Sequence, residues 1–161
     1  MADQPERERA ERYFAQAYEA QMQGDLDAAI ALYQKSIAAV PTAEAHTFLG
    51  WTYSFKGDYR AAIRECRTAI KIDPEFGNPY NDIGSYLIKL GRLDDAIPWL
   101  RRAMTARRYE PRHYPHVNLA RVFARQGKVH EAIAELKQAL AIEPGYVPAR
   151  TELHRLLGLL N

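Results

Sequence analysis

The sequence predicts an all-α solenoid built from four helical hairpins and a ninth, terminal helix. A glycine follows a helix-like segment four times, at Gly24, Gly57, Gly91 and Gly127, with intervals of 33, 34 and 36 residues. Five residues after each glycine stands an alanine followed by an isoleucine, so the same pattern recurs in every copy. A period of roughly 20 to 50 residues is typical of stacked repeats, in which each unit buries its apolar faces against its neighbours.

Apolar residues at helical spacing predict two helices in each repeat, preceded by a frayed segment over residues 1–4. The eight helices are expected over about 5–23, 25–40, 43–56, 58–73, 78–90, 93–109, 113–126 and 128–143. A ninth helix is predicted over 148–160, and its leucines would cover the last repeat. The residues predicted to line that face are Leu153, Leu156, Leu157 and Leu160.

Glycine and proline mark the ends of the predicted helices. Each repeat glycine allows the chain to reverse, and Pro41, Pro74 and Pro144 prevent the second helix of their repeat from continuing. Small side chains let two paired helices approach closely at their crossing. They occupy two fixed places, at Ala17, Gly50, Gly84 and Ala120 in the first helices and at Ala29, Ala62, Ala96 and Ala132 in the second.

The third repeat departs from this pattern. It has Arg108 where the other copies have their closing proline, and two extra residues precede the fourth repeat. The insertion predicts either a longer second helix or a longer loop. Pro98 lies inside that second helix and removes one backbone hydrogen bond, so we expect a mild bend near residues 94–98.

The second repeat carries the most complete motif, with Leu49-Gly50-x-x-Tyr53, Gly57, Ala62-Ile63, Ala69 and Pro74. This pattern, present four times in tandem from about Ala10 to the C-terminus, resembles the tetratricopeptide repeat (TPR) family. The resemblance implies one TPR domain over 1–161, folded as a right-handed α-solenoid. Its repeats would span about 10–42, 43–76, 77–112 and 113–146, with a capping helix over 147–161.

Composition excludes several classes of function. The 161 residues have a formal net charge of +2, which gives no overall attraction to nucleic acid or to an acidic membrane. No apolar run approaches the roughly 20 residues needed to cross a bilayer, and the charged N-terminus differs from a signal peptide. A single cysteine fits a reducing compartment, so a cytoplasmic location is expected. The alanine- and arginine-rich composition indicates a bacterial source.

Catalytic and metal-binding signatures are missing from the sequence, which predicts no enzyme activity and no cofactor. The glycines are accounted for by the repeat turns, and no Cys-x-x-Cys pair or HExxH helix occurs. His113 and His116 are three residues apart, but a metal site normally needs a third or fourth ligand. We interpret His116 and His46 as packing residues between repeats, and Cys66 as a small core residue.

In the TPR family, the first helix of each pair lines a concave groove, and the resemblance implies which residues would face it. The N-terminal half of this wall is aromatic and its C-terminal half carries amides and arginines, which predicts a surface that binds a partner segment. Each aromatic residue could instead pack between neighbouring pairs. The predicted partner-binding residues are Phe14, Tyr18, Phe48, Trp51, Phe55, Asn78, Asn81, Asp82, Ser85, Asn118, Arg121 and Arg125, with Met22, Thr47, Lys89 and Tyr114 also expected on the groove wall.

One known use of the family is not predicted here. Repeat proteins that hold the C-termini of large chaperones use a two-carboxylate clamp of lysines, asparagines and an arginine. The corresponding positions hold Phe14 and Tyr18, then Phe48, then Asn78 and Asp82. This set is not basic, so the sequence does not predict a clamp for a chaperone tail.

The predicted function is therefore a non-catalytic scaffold that binds a protein or peptide in its groove. A first alternative is self-assembly into a homo-oligomer. A second is a basic patch that binds nucleic acid or an acidic protein, although arginines near the end of a helix also complement its dipole. The arginines of this basic cluster are Arg101, Arg102, Arg107, Arg108 and Arg112.

Overall fold

A computed structural model describes residues 1–161 as nine α-helices and no β-strand. The helices are α1 (Gln4–Met22), α2 (Leu26–Ala39), α3 (Ala43–Phe55), α4 (Tyr59–Ile72), α5 (Asn78–Lys89), α6 (Leu93–Thr105), α7 (His113–Arg125), α8 (Val129–Ile142) and α9 (Val147–Gly158). None of them has both the length and the apolar character needed to cross a bilayer. The predicted all-α solenoid is confirmed.

The helices form antiparallel hairpins, α1 with α2, α3 with α4, α5 with α6 and α7 with α8. The four repeat glycines adopt positive φ values between 75° and 82°, a conformation that side chains with a Cβ disfavour. The first two hairpins also share a cap. Asp25 Oδ1 accepts a hydrogen bond from the backbone N–H of Ala28 at 3.2 Å, and Asp58 Oδ1 does so from Ala61 at 3.0 Å.

Successive hairpins stack so that the first helices form one continuous wall. α1 contacts α3, α3 contacts α5, and α5 contacts α7 directly, whereas no comparably close pair exists among the second helices. Closer spacing on one side of a stack bends it toward that side. The wall made by α1, α3, α5 and α7 is therefore the concave side, and we call it the groove.

Close helix crossings explain the small residues of the repeat. A Cβ added at Gly50 would lie 2.9 Å from the carbonyl oxygen of Ala62, and one added at Gly84 would overlap Cδ2 and Cγ of Leu100. Contacts this short are not found for real Cβ atoms, so a larger side chain would push the two helices apart. The glycines in these two first helices are required by packing.

The core is divided unevenly along the solenoid. A cluster of 18 buried residues extends from α4 to α9, and a smaller one joins Ala17, Ala29, Tyr33 and Leu49. Tyr53 packs against both clusters and links them. Helix α9 contributes only Ala149 and Leu156 to the large cluster as buried residues. The prediction that Leu157 and Leu160 cover the last repeat is wrong, because they are 37% and 48% exposed.

The irregular third repeat ends in a longer loop, because α6 stops at Thr105 and does not reach residue 109. The loop over 106–112 folds back onto the preceding inter-repeat loop. The backbone N–H of Gly77 donates to the carbonyl of Arg108 at 2.9 Å, and that of Arg108 donates to Glu75 at 3.0 Å. Pro98 lies within α6 without ending it, and the bend expected there stays a prediction.

The start of the chain is more ordered than the sequence indicated. Asp3 caps α1 by accepting a hydrogen bond from the backbone N–H of Glu6 at 2.9 Å. The Glu6 side chain accepts one in return from the N–H of Asp3 at 3.1 Å. This reciprocal capping box satisfies two backbone donors, so the helix begins at Gln4 instead of fraying there.

Comparison of the helix caps between repeats indicates a substitution that should stabilise the protein. Lys128 occupies the capping position of α8 with nearly the same backbone angles as Asp25 and Asp58, yet α8 has no side-chain cap. We expect Lys128→Asp to raise the free energy of unfolding by about 1 kcal/mol, because an aspartate there can accept from an unpaired N–H near the positive end of the helix dipole. Urea unfolding measures this change. The matched control Asp58→Ala should lose a similar amount, and a Lys128→Asp variant without any gain would contradict the expectation.

Candidate protein-binding groove

Five aromatic side chains form a connected series at the N-terminal end of the groove. Phe14 and Tyr18 on α1 lie 5.2 and 5.9 Å from the ring of Phe48 on α3, both edge to face. Phe48 lies 5.8 Å from Trp51, and Trp51 lies 5.0 Å from Phe55. We call this series the aromatic ladder. Its members come from consecutive turns of two neighbouring helices, so the rigid hairpin stack holds their rings in place.

The ladder rests on the core without being part of it. The buried Tyr33 of α2 lies 5.5 Å from Phe14 and 6.2 Å from Phe48, and its hydroxyl donates to Gln21 Oε1 at 2.8 Å. Burial raises the pKa of Tyr33 above its usual value, so the hydroxyl of this tyrosine beneath the ladder stays neutral. Phe14, Phe48 and Trp51 are half-buried, whereas Tyr18 and Phe55 are 43% and 54% exposed.

A cavity of about 680 Å³ opens beside Phe14, between α1, the end of α2 and the start of α3. Its surface is largely apolar, and Ala10, Val40 and Glu44 are among the residues that line it. Its volume lies in the range typical of sites for small ligands or for side chains of a partner. The sequence did not indicate this cavity, because its wall combines residues from three helices.

The C-terminal half of the groove contains a hydrogen-bonded chain of polar side chains. Asn118 Nδ2 on α7 donates to Asn81 Oδ1 on α5 at 2.9 Å, and Arg121 Nη1 donates to Asn118 Oδ1 at 3.1 Å. Both asparagines are only 8% exposed. From the sequence we expected these amides to face a partner, whereas in the structure they join α5 and α7. Thr47 is likewise buried and donates to the carbonyl of Ala43.

Arg121 and Arg125 are exposed and line one cavity of about 440 Å³ between α7 and α9. Arg125 Nη1 donates to the carbonyl of Ile88 at 3.3 Å, a contact that leaves most of its guanidinium donors free. Glu152 and Arg155, also in this cavity, pair with each other at 2.6 and 2.8 Å. Arg121 and Arg125 each make one hydrogen bond within the protein, which leaves guanidinium donors of both side chains unused.

Three polar residues between these halves have no hydrogen-bond partner in the protein. Asn78, Asp82 and Ser85 are half-buried on α5, and none of their side chains takes part in a hydrogen bond or an ion pair. Burial raises the pKa of Asp82 to about 7. The centre of the groove is thus polar and unpaired, in contrast to its aromatic and amide flanks.

The basic cluster near the third repeat is largely used by the protein itself. Arg108 pairs with Glu44 at 2.8 Å and with Asp73 at 2.6 Å, so it links the loop over 106–112 to the start of α3 and to the end of α4. Arg102 pairs with Glu75 at 3.1 Å, and Arg112 donates to the carbonyls of three residues in the loop region, Met104, Ala106 and Arg107. Only Arg101 and Arg107 keep their guanidinium groups free, which disfavours a nucleic-acid patch there.

The histidines and the cysteine do not assemble a metal or catalytic site. His46 Nδ1 lies 2.7 Å from Glu65 Oε2, and His116 Nδ1 lies 2.7 Å from Glu135 Oε2, so the same pair recurs in two repeats. No three His, Cys, Asp or Glu side chains converge as metal ligands. Burial raises the pKa of the Cys66 thiol well above its usual value, which keeps it protonated and unreactive.

Comparison with known proteins agrees with the repeat pattern. Two family models, both described as tetratricopeptide repeat, match residues 75–143 and residues 43–76. The small glutamine-rich tetratricopeptide repeat-containing protein 2 of Mycosarcoma maydis is 32% identical over 90 residues, which are 55% of this chain and 26% of that protein. The chain spans about a quarter to a third of the length of the curated relatives it matches.

Solved structures share the fold. A structure from the functional characterization of Pseudomonas aeruginosa pilF has a TM-score of 0.89 and 21% identity, over 96% of this chain and 70% of that one. YrrB, described as a TPR protein with an unusual peptide-binding site, has a TM-score of 0.68 and 23% identity, over 91% of this chain and 75% of that one. At these identities the likeness shows the architecture alone.

Proposed function

The chain belongs to the tetratricopeptide repeat family, and from this premise we propose that its groove holds a segment of another protein. The family supports a general role as a protein-interaction scaffold. The finer assignment, to the groove and to a short segment within it, rests on the aromatic ladder. YrrB, which shares the architecture, is described as having an unusual peptide-binding site.

The observation that carries the proposal is the exposure of the ladder. Tyr18 and Phe55 leave about half of their surface in water, although the core of their repeats is already filled by Tyr33 and Leu49. Trp51 contacts the rings of Phe48 and Phe55 and is not among the side chains packed against the two core clusters. Large, rigid aromatic side chains in a concave wall provide contact area at a low cost in side-chain entropy, as binding hot spots do.

The polar half would fix the direction of the bound segment. An apolar part of the segment would lie on the ladder and beside the 680 Å³ cavity, and a carboxylate would lie between Arg121 and Arg125. Charged contacts at one end and apolar contacts at the other favour one orientation over its reverse.

The fluorescence of the two tryptophans can report binding at the ladder. The chain has only Trp51, in the ladder, and Trp99, which stacks on Tyr80 outside the groove at 6.1 Å. Peptides would be selected from a random dodecapeptide display library and titrated into a Trp99→Phe variant. A bound segment should shift the Trp51 emission to shorter wavelength, because it removes water from the indole ring. The complementary Trp51→Phe variant, which keeps Trp99, should show no shift.

Truncating the exposed ladder residues should weaken binding without unfolding the protein. We expect Trp51→Ala and Phe55→Ala each to weaken a selected peptide by about 2 kcal/mol, some thirtyfold in Kd, as for buried aromatic anchors. Calorimetric titration measures Kd, and the thermal midpoint checks the fold. Ile72→Ala is the control, because Ile72 is 44% exposed on a second helix away from the groove. If the ladder variants bind as tightly as the control, the groove is not the binding surface.

A further inference from the structure

We propose that Asp82 selects partner segments that carry a lysine or arginine next to the residues bound by the aromatic ladder. This inference rests on the proposed function of the groove and adds the chemistry of the partner. It starts from the register of the repeats, which brings the same two positions of neighbouring first helices together three times along the wall.

The two flanking pairs of this register are filled. At the N-terminal end Phe14 of α1 contacts Phe48 of α3, and at the C-terminal end Asn81 of α5 bonds Asn118 of α7. The repeat offsets of 33, 34 and 36 residues place Thr47 and Asp82 at the equivalent positions of α3 and α5. The central pair is therefore a threonine opposite an aspartate, between an aromatic pair and an amide pair.

The central pair differs from its neighbours because its two members do not bond each other. The hydroxyl of Thr47 donates to the backbone carbonyl of Ala43 at 2.7 Å. Asp82 takes part in none of the nine ion pairs of the chain and accepts no hydrogen bond. A half-buried carboxylate without any donor is thus left in the middle of the groove wall, one repeat from Trp51.

The surroundings of Asp82 contain no cation that would offset its charge. Burial raises the pKa values of Cys66 on α4, Tyr86 on α5 and Tyr109 in the loop over 106–112, and the charge of Asp82 raises each of them further. All three groups are therefore neutral near pH 7. Burial without compensation also raises the pKa of Asp82 itself to about 7.

An unpaired, half-buried carboxylate lowers the stability of the folded protein. Its pKa is raised above the unfolded value near 4, so ionisation disfavours the folded state as pH rises above 4, and this loss of stability is complete above pH 7. Residues that destabilise the folded protein in this way are found preferentially at sites that serve binding or catalysis. A lysine or arginine from a partner would supply the missing charge and the missing hydrogen-bond donors in one contact.

The test compares peptides selected from the random dodecapeptide library on four proteins in parallel. These are the wild type, Asp82→Asn, Asp82→Lys and the control Glu131→Gln, which changes an exposed acid on α8. Wild type and control should enrich lysine or arginine near an aromatic or aliphatic residue. Asp82→Asn should keep the apolar preference and lose the cation, and Asp82→Lys should favour an acidic residue instead.

A double-mutant cycle gives the magnitude. Replacing the enriched lysine or arginine of a selected peptide by methionine should weaken wild-type binding about tenfold and Asp82→Asn binding less than about twofold. Wild-type binding of a selected peptide that lacks histidine should also be about fivefold weaker at pH 6 than at pH 8, because protonation of Asp82 removes most of its charge. The Asp82→Asn variant should lack this pH dependence.

The outcomes separate the two proposals. Peptides that depend on Trp51 and Phe55 but show no cation preference, or a preference unchanged by Asp82→Asn, would overturn the role of Asp82 and leave the groove assignment standing. Failure of the wild type to enrich any peptide over the Trp51→Ala/Phe55→Ala double variant would overturn both. An independent check of the unpaired charge is thermal unfolding, in which Asp82→Asn should raise Tm more at pH 8 than at pH 5.

Discussion

We expect Leu100→Ala to lower the free energy of unfolding by about 3 to 4 kcal/mol, because the substitution removes a fully buried side chain and leaves a cavity. Leu100 is 0% exposed in the large core cluster and lies against Gly84, where α5 and α6 cross. Urea or guanidinium unfolding measures the change. The control is Leu90→Ala, since Leu90 is 40% exposed and its truncation should cost less than about 1 kcal/mol.

A double-mutant cycle would show that the crossing itself is responsible. Gly84→Ala alone should destabilise by about 1 to 3 kcal/mol, because its new methyl group overlaps Leu100. In the Leu100→Ala background that overlap is gone, and the methyl group fills part of the cavity. The double variant should therefore be more stable than the sum of the single changes predicts, and additive energies would contradict this account of the crossing.

The regular part of the fold could be predicted from the sequence because its determinants are local. Gly57 marks a turn and Pro74 a helix end in the sequence, and the structure places α4 between them. The small residues at Gly50 and Gly84 mark crossings that the structure confirms. Apart from the second helix of the third repeat, helix ends differ from the predictions by one or two residues, since stacked copies repeat one set of short-range contacts.

Contacts between distant residues were less accessible to sequence reasoning. The repeat register predicted that Asn81 and Asn118 lie on the groove wall. It did not predict the hydrogen bond between them, because that bond depends on the rotation of α5 against α7. The pairing of Arg108 with Glu44 joins residues 64 positions apart. A basic cluster in the sequence thus became a set of internal links. The paired acids lie in neighbouring repeats, where no local pattern identifies them.

The aromatic ladder was predicted in part, less completely than the helices and better than the contacts between distant residues. Family positions identified Phe14, Phe48 and Trp51 as candidates, but sequence alone left open whether each ring would pack between repeats or face the groove. The structure shows both properties in one series. Phe14 and Phe48 touch the buried Tyr33, while Phe55 at the far end remains mostly in water.

The loop over 106–112 is the largest departure from the regular repeat, and Tyr109 is its anchor. Only 4% of Tyr109 is exposed, and its side chain packs with Tyr80, Ala103 and Ala106. It also fits so closely against Gly77 that a Cβ added there would overlap the ring. The sequence indicated an insertion at this place, but not that the inserted residue fills a gap between two repeats.

We expect Tyr109→Ala to lower the free energy of unfolding by about 3 kcal/mol, as for other buried aromatic side chains, because it removes the ring that packs against Gly77 and leaves a cavity there. Tyr109→Phe should cost less than about 1 kcal/mol, since the hydroxyl makes no hydrogen bond within the protein and the ring provides the packing. Arg107→Ala in the same loop should be nearly neutral, because its exposed side chain is unpaired. Equal losses for Tyr109→Ala and Arg107→Ala in urea unfolding would mean that the loop only spans the two repeats and does not hold them together.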